Sequence, residues 1–340
     1  MDKLRVAMIG AGGRGMSHIR SIANAPNIEF VAICDMRKEA AQPIVEEFDV
    51  PWVGSIEELL ANYELDGCGI CVPTPYHYET AMQVIEADKH LVTEKPMAKG
   101  VSQAREMLEQ VEERGLVSAI SYQLRFGPVY RKVKELCEQI DPLQIIFARQ
   151  RSMLKDMYLS PEPFDGIMDF ISHDIDMIPF LAGREPKKVF STMSRDVWAD
   201  AGAISYMSCE IQLGEGPHKT AGIISSSMGG AGVPQRLDVV GRGGIAVAEG
   251  NSVKYAVGPN PMAGEAGRDM WTASFEGEGR DFTQDLYRHW AAACLDDSVD
   301  IAPAATYRDG YNALLISLAM VESGESGEVV DIEEFAANAD

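Results

Sequence analysis

The sequence has few cysteines, a shortage of basic residues and no long apolar run. Its 340 residues include six cysteines, too few for a disulfide scaffold. Lys and Arg number 30 against 52 Asp and Glu, and the formal charge of −22 repels phosphate backbones and anionic lipid heads. No stretch approaches the roughly 18 consecutive apolar residues of a membrane span. These absences argue against nucleic-acid and membrane partners and favour a small-molecule partner.

The N-terminus and the cysteines indicate the expected compartment. The first three residues run directly into the apolar segment Leu4–Ile9, without the architecture of a signal peptide. Cys68 and Cys71 form a C-x-x-C pattern, which is compatible with a redox pair or with metal ligands. They fall in a strand-like run, however, where an offset of three points two side chains to opposite faces. We therefore expect buried, reduced thiols and a cytoplasmic protein.

The first 125 residues alternate between two periods. Strand-like apolar runs occur at Arg5–Ile9, Phe30–Cys34, Gly69–Val72, His90–Thr93 and Val117–Ser121, and amphipathic helical patterns at Met16–Asn24, Lys38–Phe48, Tyr76–Ala87 and Val101–Arg114. Apolar runs without internal alternation fit strands that are covered on both faces. The alternation predicts an α/β domain at residues 1–125 with a doubly wound parallel sheet of the Rossmann type.

The pattern changes near residue 128 and predicts a second domain at residues 126–340. After a helix at Pro128–Gln139, strands are expected at Leu143–Arg151, Lys188–Ser194, Ser205–Leu213, Ala221–Ser227, Arg236–Val240 and Ile245–Glu249. Their hairpin-length connections predict a large, mostly antiparallel sheet in an α+β domain. Further helices are expected at Asp169–Leu181, Phe282–Cys294 and Tyr307–Ser323, the last two being candidates to pack back on the first domain. The tail Asp331–Asp340 is expected as a short strand followed by frayed chain.

A glycine loop follows the first predicted strand and opens a helix. Its sequence, Gly10-Ala11-Gly12-Gly13-Arg14-Gly15, has the G-x-G-x-x-G spacing that allows a tight turn, backbone approach to a pyrophosphate and close helix–strand packing. The free N–H groups of the helix N-terminus attract the phosphates. Asp35, 20 residues after Gly15, is placed to accept hydrogen bonds from a ribose diol and to repel a 2′-phosphate. We therefore expect NAD, although Arg37 leaves NADP possible because its guanidinium can receive that phosphate.

Two further motifs follow predicted parallel strands, at the sheet edge where open α/β sheets bind ligands. One is Thr74-Pro75-Tyr76-His77 and the other is Glu94-Lys95-Pro96. A third, Asp169-x-x-x-His173-x-x-Asp176, lies in the predicted second domain. Together with the glycine loop, the segment Arg125-Phe126-x-Pro128 and the ending Gly327-Glu328-Val329, these motifs resemble the Gfo/Idh/MocA family of NAD(P)-dependent oxidoreductases, the glucose-fructose oxidoreductase and inositol dehydrogenase type.

That resemblance covers nearly the whole chain and implies a function and a site. It implies that Lys95 lies beside the nicotinamide and the reacting hydroxyl, and that Thr74, Pro75 and His77 line the cofactor cleft. It also implies that the second sheet forms the contacts of a homodimer or homotetramer. The cofactor-binding set is expected to be Gly10, Gly12, Gly13, Arg14, Gly15, Asp35, Arg37, Thr74, Pro75, His77, Glu94 and Lys95.

The spacing of the second-domain motif also indicates a polar site. Asp169, His173 and Asp176 share one helix face among apolar neighbours, and a polar stripe there must meet solvent or line a polar site. Asp and His four residues apart can also chelate a metal, but no third ligand stands at a recognisable spacing, so no metal is expected. Oxidation of a secondary alcohol needs a proton acceptor, for which histidine is suited.

We therefore assign the catalytic set to Lys95, Asp169 and His173. His173 is the general base, Lys95 stabilises the developing alkoxide and Asp169 orients the substrate. Asp176 is expected either to support the site without touching the substrate or to take part in helix packing, and not to act as a catalyst. Two departures from the family pattern, Phe164-Asp165-Gly166 in place of a glycine-rich run and Ile171 in place of a glycine, alter the pocket wall.

The substrate is expected to be a small polyol: a sugar, a sugar derivative or an inositol. Tyr122, Arg125, Arg151 and Tyr158 come from segments expected to face the cleft, and polyol recognition needs such donors and flat aromatic faces. Two other functions remain open at this point. One is an enzyme that keeps NAD bound and uses transient oxidation for elimination or glycosidic cleavage. The other is a catalytically silent sensor of the dinucleotide.

Overall fold

The computed structural model describes residues 3–151, 167–195, 202–228, 233–258, 271–275 and 282–339. They form two compact units, each assembled from two stretches of chain. Met1–Phe126 and Gly279–Leu314 form the first unit, and Gly127–Glu278 and Leu315–Ala339 form the second. The chain therefore leaves the first unit and later returns to it.

The first unit is built around a parallel sheet of six strands. In chain order these are β1 Leu4–Ile9, β2 Ile28–Cys34, β3 Trp52–Val53, β4 Gly67–Ile70, β5 His90–Thr93 and β6 Ser118–Ile120. Their order in space is β3-β2-β1-β4-β5-β6, and every neighbouring pair is parallel. This is the doubly wound arrangement that the sequence predicts, and the order reverses between β1 and β4.

Helices connect these strands. They are α1 Gly13–Ala23, α2 Lys38–Phe48, α3 Ile56–Asn62, α4 His77–Glu86 and α5 Val101–Glu113. The sequence does not predict the short β3 and α3, because two and seven residues are too few to show a hydrophobic period. The predicted strand Gly69–Val72 is two residues out of place, since β4 ends at Ile70, where its pairing with β1 and β5 stops.

The second unit contains a sheet of nine described strands. Between α6 Pro128–Ile140 and α7 Ile167–Ala182 lies β7 Pro142–Arg151, and β8 Pro186–Ser194, β9 Tyr206–Leu213, β10 Thr220–Met228, β11 Val233–Gly241, β12 Gly244–Glu249, β13 Ser252–Val257 and β14 Trp271–Ser274 follow. The ninth strand, β15 Val330–Asp331, comes from the end of the chain and pairs with β8. All pairs described are antiparallel except β7 with β10. The expected mostly antiparallel sheet is confirmed.

Helices α6 and α7 pack on one face of this sheet. Residues alternate along its strands, so that Ile145 and Phe147 are buried while Gln144 and Ala148 are exposed. A Cβ at Gly222 would lie 2.3 Å from the Ile178 side chain, so β10 needs this glycine where α7 crosses it. Among the residues that the structure describes, the helices of the second unit therefore cover one face of this sheet, and no described helix packs on the other face.

The last part of the chain adds α8 Phe282–Leu295 and α9 Tyr307–Ser326, then β15 Val330–Asp331 and α10 Ile332–Asn338. The prediction of frayed chain after the last strand is wrong. Asp331 caps α10, because its carboxylate accepts hydrogen bonds from the backbone N–H groups of Glu333 and Glu334. Among the helices described, none is long and apolar enough to cross a membrane.

Candidate cofactor and catalytic site

The glycine loop lies between β1 and α1, where two of its glycines are required by packing. Gly10 has φ +100°, and a Cβ there would lie 2.2 Å from the carbonyl oxygen of Cys71. A Cβ at Gly15 would lie 2.4 Å from the carbonyl oxygen of Gly10. These two residues allow the start of α1 to sit directly against the ends of β1 and β4.

The other two glycines of the loop have no such packing role. A Cβ at Gly12 or Gly13 would meet no atom within 4 Å, and Gly12 has an ordinary φ of −66°. Helix α1 begins without a side-chain cap and without an acidic residue in its first turn. Open space beside uncapped backbone N–H groups fits the pyrophosphate of a dinucleotide. The residues present therefore fit NAD.

Asp35 follows β2 directly and joins the second strand to the loop. Its two carboxylate oxygens accept hydrogen bonds from the backbone N–H groups of Ala11 and Arg37, both at 2.8 Å. The Arg37 side chain is 70% exposed, and its Nε lies 3.6 Å from Asp35 Oδ1. The carboxylate therefore lies beside the phosphate loop, where it suits a ribose diol and disfavours a 2′-phosphate.

Lys95 follows β5 and is half-buried. Its backbone N–H donates to Glu94 Oε2 at 3.0 Å. The next carbonyl, that of Pro96, lies 2.6 Å from His77 Nδ1, and His77 Nε2 lies 2.9 Å from the carbonyl oxygen of Val72. The buried His77 ring thus joins the segment after β4 to the turn that carries Lys95. Thr74–Tyr76 form a short 3-10 turn, in which Pro75 is exposed.

Glu94 is the centre of a buried cluster that the sequence does not reveal. Its Oε1 accepts hydrogen bonds from Arg14 Nε at 3.0 Å and from His18 Nε2 at 2.7 Å. His18 is fully buried, and its Nδ1 lies 2.9 Å from the Tyr287 hydroxyl. A histidine on the apolar face of α1, next to Ile19 and Ile22, is the signal that could have found it.

His18, Cys71 and Glu94 also bring three metal-ligand types together. Their donor atoms lie within 4.8 Å of one another. Burial, reinforced by the charge of Glu94, raises the pKa of Cys71 to about 12, so the thiol stays protonated. Both His18 nitrogens and both Glu94 oxygens already have protein partners, so hydrogen bonds satisfy this cluster. Cys68 and Cys71 are free thiols, the first in β4 and the second just after it.

Helix α7 carries the three polar residues of the second-unit motif. Asp169 and His173 are half-buried and lie one turn apart, while Asp176 is 3% exposed. The predicted helix Asp169–Leu181 is confirmed and extends from Ile167 to Ala182. In its interior the buried Asp174 accepts a hydrogen bond from Gln235 Nε2 at 2.7 Å, which ties α7 to β11.

The four expected substrate residues differ in their surroundings. Tyr122 is 4% exposed, and Arg125 is 3% exposed and forms an ion pair with Asp309 at 3.1 Å. Such burial favours a structural role for both side chains. Arg151 is the last residue of β7, and Tyr158 lies outside the described residues, as do Phe164, Asp165 and Gly166.

Comparison with known proteins agrees with this geometry. Residues 4–122 match the model of an oxidoreductase family with an NAD-binding Rossmann fold, GFO_IDH_MocA. The chain is 26% identical over 338 residues to inositol 2-dehydrogenase of Rhizobium meliloti, covering 94% of this chain and 96% of that protein. It is 23% identical over 342 residues to myo-inositol 2-dehydrogenase of Thermotoga maritima, covering 97% and 99%.

Solved structures share the whole fold. An oxidoreductase from Agrobacterium radiobacter, in complex with NAD⁺, L-tartaric acid and magnesium, superposes with a TM-score of 0.83 at 17% identity, covering 98% of this chain and 99% of that one. UDP-N-acetylglucosamine 3-dehydrogenase from Acidithiobacillus ferrooxidans gives 0.79 at 20% identity, covering 96% and 99%.

The fold and the phosphate loop define an NAD-dependent oxidoreductase. Within that class, residues 4–122 match the NAD-binding domain of the Gfo/Idh/MocA family, and the alignments with the two inositol dehydrogenases, which span nearly the whole chain, support a Gfo/Idh/MocA oxidoreductase. The resemblance drawn from the motifs, the expected enzyme class and the expected cofactor are thereby confirmed.

Proposed function

We propose that this enzyme oxidises a secondary hydroxyl of a sugar, a sugar derivative or an inositol, with NAD as the hydride acceptor. The observation that carries the proposal is the placement of Lys95, at the end of β5 and tied through Glu94 to the phosphate loop. A lysine there is next to the part of a parallel sheet where dinucleotides bind. The inositol and sugar dehydrogenases among its relatives support this substrate class.

The proposed chemistry divides between three side chains. His173 takes the hydroxyl proton as the C–H bond breaks, and it returns a proton in the reverse direction. Lys95 holds the oxygen and stabilises the negative charge that develops on it. Asp169, one turn before His173, orients the substrate. NAD, when bound, supplies the acceptor for the hydride.

The experiment is a turnover assay with purified protein, NAD or NADP, and a panel of inositols, hexoses, uronates and glycosides. We expect reduced nicotinamide to accumulate with one substrate class, and with NAD in preference to NADP. Product formation without net reduced cofactor would instead support an enzyme that keeps NAD bound. Binding of NADH without any product across the panel would support a dinucleotide sensor and contradict the proposal.

We also propose that the chain forms a homodimer or homotetramer through the face of the second-unit sheet on which no described helix packs. Beside exposed Phe190 on β8, this face carries half-exposed apolar side chains on central strands, among them Ile146, Ile223 and Val247. Ile146 and Ile223 are paired directly across β7 and β10, while Glu210 and Asp238 interrupt the row of apolar side chains on either side of them. Apolar side chains on a sheet face that no described helix covers favour an association surface. Light scattering of the wild type and of Ile146→Lys, which places a charge mid-face, tests the proposal: an unchanged mass for the variant would contradict it.

A further inference from the structure

Glu94 is a buried carboxylate shared by three parts of the first unit. It is 6% exposed, and it follows β5 directly. Oε1 accepts from Arg14 of the phosphate loop and from His18 of α1, and Oε2 accepts from the backbone N–H of Lys95. Both oxygens therefore have partners within the protein, on opposite sides of the carboxylate.

The electrostatics keep this carboxylate charged. Burial on its own would raise the pKa of Glu94, because a buried anion loses its water. The hydrogen bond from His18 and the charges of His18, Arg14 and Lys95 outweigh burial and hold the pKa well below its usual value. An ionised carboxylate forms stronger hydrogen bonds than a neutral one, and it strongly resists losing any of its partners.

His18 fixes the position of Glu94. Its second ring nitrogen contacts the Tyr287 hydroxyl at 2.9 Å, and the two rings meet edge to face at 5.7 Å with an interplanar angle of 87°. Tyr287 is fully buried in α8, and His18 is fully buried in α1. The imidazole therefore has little freedom, and it holds Oε1 of Glu94 in place.

Arg14 differs from these partners because its side chain is 48% exposed. It belongs to the loop that receives the pyrophosphate, directly beside the open space at Gly12 and Gly13. A phosphate that binds the Arg14 guanidinium or the first N–H groups of α1 therefore also changes the hydrogen bonds that Arg14 and His18 donate to Glu94 Oε1. The opposite oxygen of the same rigid carboxylate holds the Lys95 backbone.

We propose that Glu94 is a positioning residue that couples occupation of the phosphate loop to the orientation of Lys95. His18 is its support, and Arg14 is its connection to the phosphates. The inference rests on the proposed function to the extent that Lys95 needs an orientation for catalysis. It adds that the lysine becomes fully oriented only after the dinucleotide phosphates bind.

A labelling experiment without substrate tests the coupling. ADP is the probe, at a concentration that displaces NADH, because it carries the phosphates but has no nicotinamide to cover the lysine. The rate of reductive methylation of Lys95 is measured by mass spectrometry in the full-length protein, with exposed Lys99 as the internal control. We expect ADP to slow labelling of Lys95 at least about threefold in the wild type, because an oriented ammonium samples fewer conformations.

The variants decide the role of Glu94. Glu94→Gln removes the negative charge and places an amide NH2 group among the N–H donors that Glu94 accepts from. Glu94→Asp keeps the charge, but its side chain is one methylene shorter, so the carboxylate cannot reach all of its partners at once. We expect the ADP effect to disappear in both, while the exposed Glu106→Gln behaves as the wild type. The aspartate variant keeps the test valid if the glutamine variant fails to fold.

Two results would overturn the inference. One is an ADP effect that persists in the folded Glu94 variants, and the other is no ADP effect in the wild type. Since no substrate is present, either result leaves the dehydrogenase proposal to its own turnover assay. In that assay, we expect the coupling to appear as a loss of about 10- to 100-fold in kcat for Glu94→Asp, with a smaller change in the KM for substrate.

Discussion

His77 shows what a single buried side chain does at the ends of two strands. Its ring nitrogens face two carbonyl oxygens, those of Val72 and Pro96, and the residue is 1% exposed. A neutral imidazole has one N–H, so it donates to only one of them, whereas the protonated ring donates to both. Burial lowers the pKa of His77 and outweighs the two carbonyls, which raise it. The neutral form, with one donated bond, is therefore the one that the fold favours.

The lowered pKa predicts a pH dependence of stability. Because the unfolded chain takes up the His77 proton at a higher pH than the folded chain, acidification below about pH 6.5 favours unfolding. We expect the free energy of unfolding to fall with pH there, by at most about 1.4 kcal/mol per pH unit for this one proton. Urea titrations between pH 7.5 and 5 should show a shallower slope for His77→Gln. An unchanged slope in that variant, or an equal change in exposed His218→Gln, would contradict the assignment.

Substitution of the proposed catalytic side chains should separate chemistry from cofactor binding. We expect Lys95→Ala and His173→Ala each to reduce kcat about 10²- to 10⁴-fold, because each loses charge stabilisation or proton transfer in the transition state. NADH affinity, followed by fluorescence, should stay within a few fold. Lys99→Ala, which changes an exposed lysine four residues after Lys95, is the matched control. Near-normal kcat in either catalytic variant would refute its role.

At the scale of elements, the long periodic segments are the ones that the sequence predicts well. The predicted bounds of α2 and β5 agree with the structure, and those of α5 and α6 differ by one residue. Trp52–Val53 and Ser252–Val257 were not predicted. The first is too short to show a period, and the second is a strand because it pairs with both of its neighbours. Helix α10 depends on the cap at Asp331, a local signal that the acidic composition of the tail obscures.

The candidate site also contains residues that the sequence predicts and one that it does not. The glycine loop, Asp35 and Lys95 are predictable because each follows a strand, and parallel strands of one sheet end at one edge. His18 was not predicted, since its role depends on partners 76 and 269 positions away along the chain, Glu94 and Tyr287. These contacts follow from the packing of α1 against α8 and against the segment after β5, and no local sequence pattern encodes such pairings.

Two glycines at the start of α1, Gly12 and Gly15, should differ in what they contribute to stability and to NAD affinity. Gly12→Ala adds a methyl group into open space, so we expect unchanged stability and a loss of at least about tenfold in NAD affinity. Gly15→Ala drives a Cβ to 2.4 Å from the Gly10 carbonyl oxygen, so we expect a stability loss of about 1–3 kcal/mol as well. Thermal melts and NADH titrations of both variants check this. Equal destabilisation of the two would contradict the division between packing and cofactor glycines.

At the scale of the whole molecule, the first unit is completed by a distant part of the chain. Tyr287 and Trp290 of α8 are fully buried in the same core as Val6 and Ile22. The Trp290 indole N–H donates to the carbonyl oxygen of Val117 at 3.1 Å, next to β6. The six strands therefore share their core with a helix that begins more than 150 residues after the last of them.

This arrangement predicts that residues 1–126 alone do not fold. Loss of a buried Trp or Phe side chain costs about 3–5 kcal/mol, and a domain has only about 5–15 kcal/mol in all. We expect the fragment to show no cooperative unfolding transition by circular dichroism and no NADH binding. The same fragment joined by a flexible linker to residues 279–314 should recover both. A folded, NADH-binding 1–126 fragment would contradict the importance of α8.

The position of α8 also has a consequence for biosynthesis. A ribosome that has made all six strands of the first sheet has not yet made Tyr287 or Trp290, and at about 5–20 residues per second it needs roughly 10–30 s more to reach them. During that interval the nascent strands lack part of their apolar cover, and we expect this exposed surface to favour aggregation or chaperone binding. A chain that terminates before α8 would then be inactive, because its first unit lacks Tyr287 and Trp290 from the core and does not fold.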